Sequence, residues 1–156
     1  MWRTFLLPSV LSSETAEKHN VDVTCLQETH VDADFASRFT ITGFDLISYS
    51  LHAKHGRAIC ARKDLLEVSQ QPLTSHCDVV KVGNNNIANV YKPPSEPWED
   101  TNPFSSLPHP AIYVGDFNSH HTDWVYDSPN KEGHTFLDWA SRGNFVLVHE
   151  TSLNHG

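Results

Sequence analysis

The chain has 156 residues, enough for one domain that buries a genuine core. Its 11 Lys and Arg against 19 Asp and Glu leave a formal charge of −8, the wrong sign for non-specific nucleic-acid binding through phosphate neutralisation. No run approaches the roughly 20 apolar residues of a membrane span, and three scattered cysteines lack metal-ligand spacing.

Residues 1–12 are mixed and read as a divergent leading segment. MWRTFLLPSVLSS has one Arg and a short apolar stretch broken by Pro8, so the signal-peptide reading is not preferred. Ser12 or Ser13 can cap a short helix running towards Asn20. Val21, Val23, Cys25 and Leu26 then read as a strand, with Gln27 and Glu28 directly after it and Thr29, His30 and Asp32 extending a polar rim. Residues 44–50 (FDLISYS) alternate as a strand does. A basic loop spans His52 to Arg57, and residues 58–61 form another short strand. Val79, Val80 and Val82 make a strand, Gly83-Asn84-Asn85-Asn86 a hairpin turn, and residues 87–91 the returning partner. A proline-rich loop with Trp98 follows, too long for a bare connector and expected near the site.

The chain is organised around AIYVGDFNSHHTDW at 111–124. Residues 111–114 form a short apolar run between Pro110 and Gly115 that suits a buried strand. Asp116 and Asn118 then fall at the carboxyl-end rim, where α/β sheets place their ligands. Taken alone, Asp-x-Asn after a strand also fits a polar turn. Phe136, Leu137, Trp139 and Ala140 have helical spacing with Gly143 as terminator, and residues 145–148 read as a last strand.

Glu28 and Asp116 each follow an apolar strand. If those strands lie side by side, the two carboxylates converge and can hold a hard cation such as Mg²⁺ or Mn²⁺ through oxygen. Asn118 can donate to a phosphate oxygen or orient a water, and Tyr91 offers a phenol to the same rim. Together they suit metal-assisted phosphodiester hydrolysis. The adjacent pair His120 and His121 points two ways on an extended chain, which predicts one ring packing or touching substrate and the other exposed. A different reading is a transition-metal binder using His109, His120, His121 and His134. Cys25, Cys60 and Cys77 read as buried reduced thiols, which points to a nuclear or cytoplasmic rather than a secreted protein.

At this point the chain resembles the endonuclease/exonuclease/phosphatase superfamily, and more narrowly the endonuclease domain of jockey-type non-LTR retrotransposons. The segments that carry the likeness are VDVTCLQETH at 21–30, HGRAICARKDL at 55–65, NVYKPPSEPW at 89–98 and YVGDFNSHHTDW at 113–124. EGHTFLDWASRGNFVLVHE at 132–150 fits the helix and strand that follow. The resemblance implies an α/β fold, a four-layer sandwich of two sheets face to face with helices outside. It implies Glu28 as a metal ligand, Tyr91 beside the scissile phosphate, Asp116 activating water or binding metal, and Asn118 positioning it. The His120–His121 pair matches the retrotransposon branch and is a candidate substrate contact. Mg²⁺ or Mn²⁺ as cofactor, DNA as substrate and a reverse transcriptase domain in a parent polypeptide follow from the same likeness.

The departures are an active-site Asn missing from the first segment and the family's closing Asp and Asp-His motifs, absent by Gly156. They imply a single incomplete domain over 1–156, lacking the family's first and last strands and weak or inactive in hydrolysis. A catalytically dead binding module for nucleic acid or protein, and a phosphatase of the same superfamily, are the alternatives.

Overall fold

The structure is a computed structural model that describes residues 4–7, 18–71, 76–98, 107–124 and 126–148. The chain divides into two compact units, Met1–Tyr91 with Leu107–Asp116, and Lys92–Ser106 with Phe117–Gly156.

The first unit is built from β1 (Thr4–Leu7), β2 (Val23–Val31), α1 (Phe35–Arg38), β3 (Phe44–Ser50), β4 (His52–Arg62), β5 (Val68–Gln70), β6 (Cys77–Val82), β7 (Asn85–Tyr91) and β8 (Ala111–Asp116). These strands form two four-stranded sheets, ordered β1-β2-β4-β3 and β5-β6-β7-β8. The α/β class and the two-sheet plan agree with the sequence reading. Val23, Cys25, Ile59 and Ala61 of the first sheet meet Val80, Val82 and Ile87 of the second in one apolar core. Burying that surface drives the sheets face to face. On the other face of the first sheet, Leu26 and Ala58 pack under Phe35 of α1.

Side chains two apart share a face of a strand, so each inward row can be followed to its end. In β2 the row runs Val23, Cys25, Gln27; in β7, Ile87, Asn89, Tyr91. In β4 and β6 it continues from the apolar residues to Arg57 and Asp78. Each row runs from apolar residues in the core to polar ones at the same end of the sandwich. There the Arg57 guanidinium donates to Asp78 at 3.1 Å from Nη2 and 3.3 Å from Nε, and also to Ser50 Oγ at 3.1 Å. Asp78 is fully buried and Arg57 nearly so, so each charge depends on the other.

Several sequence expectations change. Thr4–Leu7, within the segment that resisted reading, is a strand parallel to β2. The basic loop at His52 to Arg57 is the first half of β4, because it pairs with both β2 and β3. β8 is not buried: it is an edge strand of its sheet among the described residues, and Ile112 is 38% exposed. The expected strand over 145–148 does not form. Those residues pair with no strand among the described residues, and Val146 and Val148 stay about nine-tenths exposed. The helix expected from Ser12 or Ser13 lies largely outside the described residues. All three cysteines are free and buried, as expected. Burial pushes the Cys60 and Cys77 thiols up to about 12 and raises Cys25 further.

In the second unit, a 3₁₀ turn (Thr122–Trp124) precedes α2 (Lys131–Arg142). Asn130 caps α2, its Oδ1 accepting from Gly133 N at 2.7 Å. The buried face of α2 joins an aromatic cluster in which Phe136 meets Phe117 and Trp124, and Trp139 stacks on Phe145. No helix among the described residues is long and apolar enough to cross a membrane.

Candidate active site

Glu28 does not follow its strand but interrupts it. The register of β2 against β4 shifts between Leu26 and Thr29, and Glu28 takes a left-handed φ of 53°. In a regular strand Glu28 would share the face of Leu26, away from the second sheet. The bulge lets consecutive side chains, Gln27 and Glu28, both reach towards that sheet. Non-glycine residues in this region carry backbone strain, which concentrates at functional sites.

The Tyr91 hydroxyl donates to Glu28 Oε1 at 2.7 Å. Tyr91 ends β7 and stands in register with Asp116 at the end of β8. Parallel partners lie about 5 Å apart with side chains on the same face, so Asp116 shares the inward-facing rim with Tyr91. The backbone N–H of Asp116 donates to Gln27 Oε1 at 3.1 Å. Glu28, Tyr91 and Asp116 are therefore brought to one end of the sandwich, from three strands of both sheets.

The Tyr91 phenol is itself buttressed. His55 stacks on it with centroids 5.3 Å apart, and His52 stacks on His55 at 4.9 Å. His55 Nδ1 is a buried atom with no hydrogen-bond partner. Sequence reasoning missed this stack because it placed His52 and His55 in a loop rather than a strand.

Asn118 belongs to the second unit, two residues beyond Asp116 in sequence. It has a left-handed φ of 42°, and its side-chain amide donates to the carbonyl of Lys92 at 2.8 Å. The histidine pair does not split into one packed and one exposed ring. His120 is half-buried and stacked on Tyr126 at 4.1 Å; its main-chain N–H donates to Asn130 Oδ1 at 2.9 Å. His121 is buried, accepts at Nδ1 from Asp123 N and packs edge-on against His134. The His121 ring, through His134, and the His120 main chain, through Asn130, fasten the 117–124 loop to the start of α2, a role that two adjacent positions in a sequence do not reveal.

Two carboxylates and a phenol make an all-oxygen donor set. That fits a hard divalent cation, since Mg²⁺ uses one or two carboxylates and retains several waters. No group of three or more His, Cys, Asp or Glu side chains gathers to hold a metal among the described residues, which gives the histidine-based alternative no support.

The fold resembles solved nuclease structures. One is the endonuclease domain of TRAS1, a telomere-specific non-LTR retrotransposon, with a TM-score of 0.69 at 17% identity over 90% of this chain and 67% of that one. Another is an AP endonuclease from Archaeoglobus fulgidus, with a TM-score of 0.52 at 14% identity over 81% of this chain and 63% of that one. The chain thus spans about two-thirds of the length of these structures. No curated protein matches it significantly by sequence. The model of the endonuclease/exonuclease/phosphatase family matches residues 11–149, across both compact units, and the chain belongs to that family.

Proposed function

We propose that this chain is a divalent-metal-dependent phosphodiesterase that nicks DNA, derived from a retroelement endonuclease. The observation that carries the reading is the Tyr91–Glu28 hydrogen bond, with Tyr91 in register with Asp116. It supports a shared centre for two acidic side chains far apart in sequence.

In this reading Glu28 and Asp116 would hold Mg²⁺ or Mn²⁺, which supplies charge stabilisation at the phosphate and the leaving oxygen. Asp116, exposed at the strand end, would take a proton from the water whose oxygen bonds to phosphorus; the P–O3′ bond breaks, and the departing 3′ oxygen takes a proton from solvent to end as a hydroxyl. Tyr91 orients Glu28 and lies beside the scissile phosphate. The similarity to the TRAS1 domain supports a retroelement origin, in which a reverse transcriptase domain would accompany this one. The charge of −8 favours weak DNA binding.

The test is nicking of supercoiled plasmid at low salt with Mg²⁺ or Mn²⁺. The expected result is slow, chelator-sensitive nicking, lost in Glu28→Gln and Asp116→Asn. If the purified chain nicks no faster than Asp116→Asn with either metal, the reading is wrong. Mn²⁺ binding without turnover would leave a binding module in its place.

A further inference from the structure

Gln27 precedes Glu28 in β2 and reaches across to the second sheet, where it meets Asn89 and Asp116. Its Nε2 donates to Asn89 Oδ1 at 2.8 Å, and its Oε1 accepts from the Asp116 N–H. Asn89 is completely buried, and its Nδ2 donates to the carbonyls of Leu26 at 2.9 Å and Ala58 at 3.2 Å. A chain of hydrogen bonds thus runs from β4 and β2, through the Asn89 amide on β7 and the Gln27 amide, to the backbone of β8. Every amide group in it is oriented by a partner, so the Gln27 oxygen is held facing the Asp116 N–H. Gly115 allows the close approach: a Cβ there would lie 2.7 Å from Gln27 Nε2 and 1.8 Å from the Val90 carbonyl oxygen.

We propose that Gln27 is a positioning residue that sets Asp116 against Glu28 across the two sheets, a role that rests on the nuclease reading above. Glu28 is bonded to Gln27 covalently and Asp116 through its amide, so one side chain links both carboxylates to one frame. Pairing with β7 holds the end of β8 within its own sheet, and the Gln27 hydrogen bond adds the tie to β2, in the other sheet.

The experiment compares the wild-type chain with Gln27→Met, which keeps the volume and removes both the acceptor and the donor, and Gln27→Glu, which keeps the acceptor for the Asp116 N–H and loses only the donor to Asn89 Oδ1. Three readouts are taken: Asp116 amide exchange and chemical shift by NMR, the Mn²⁺ midpoint by electron paramagnetic resonance, and kcat and KM for plasmid nicking. In Gln27→Met, loss of the hydrogen bond to the Asp116 N–H, together with the one to Asn89 Oδ1, predicts amide exchange about ten-fold faster and a Mn²⁺ midpoint about ten-fold higher. It also predicts a kcat about ten-fold lower at unchanged KM. In Gln27→Glu the charged acceptor moves the Asp116 amide proton downfield and preserves its protection. Wild-type exchange and Mn²⁺ midpoint in Gln27→Met, or an activity loss that only tracks the unfolded fraction, would overturn the proposal. If Gln27→Met does not fold, an unmoved Asp116 resonance in Gln27→Glu overturns it. A wild-type chain that never nicks DNA refutes the nuclease reading, while the exchange measurement still decides whether Gln27 holds Asp116.

Discussion

Replacing Gly115 with alanine tests the geometry of the rim without removing any functional group. The new methyl would sit 1.8 Å from the main-chain oxygen of Val90, the residue paired with Gly115 across β7 and β8. That oxygen belongs to a strand and cannot swing aside as a side chain would, so the strands must part by about 1 Å or more to restore a tolerable contact. Overpacking in compliant cores costs about 1–3 kcal/mol. With backbone as the obstacle, we expect a loss of about 3 kcal/mol or more, concentrated in the β7–β8 pairing and in the placement of Asp116. Gly83→Ala is the control: its Cβ meets nothing within 4 Å and only the left-handed φ of 57° opposes it, a penalty of about 1–2 kcal/mol. Urea denaturation gives the two stabilities, and amide exchange along β8 locates the damage. If Gly115→Ala proves no less stable than Gly83→Ala, the close approach of β8 to β7 described here is wrong.

Asp78→Leu leaves the Arg57 guanidinium buried without its carboxylate and should cost about 3–5 kcal/mol, whereas the double variant Arg57→Met/Asp78→Leu should recover most of that in the same denaturation assay. A single variant within about 1 kcal/mol of wild type would mean the pair is not buried as described. Because burial raises the Cys60 and Cys77 thiols from 9.0 to about 12, the folded chain keeps protons that the unfolded chain releases. Stability is then fully present below about pH 9 and declines as pH rises towards 12, and Cys60→Val should flatten the decline. At pH 8 the native thiols should resist alkylation and react only on unfolding.

Much of the plan was legible because it rests on short-range periodicity. Residues 79–91 announce a hairpin by an apolar strand, Gly83-Asn84 and a second apolar strand, and the helix at Lys131–Arg142 shows in the spacing of Phe136, Trp139 and Ala140. Residues 145–148 look equally strand-like, yet Val146 and Val148 stay exposed, since a strand needs a partner that composition cannot supply. The same limit hid Thr4–Leu7, whose strand character comes from pairing with β2.

What the sequence determined by itself is the set of inward rows, apolar residues two apart that end in Gln27, Tyr91 or Asp116, together with the family motifs that contain them. What only the tertiary structure decided is which ends meet. Asp116 and Glu28 come to the same end of the sandwich because a bulge at a left-handed residue turns Glu28 off its own row and because Gln27 and Asn89 tie one sheet to the other. Those are contacts between residues more than sixty positions apart, and local pattern carries no information about them until the two apolar faces have closed on each other.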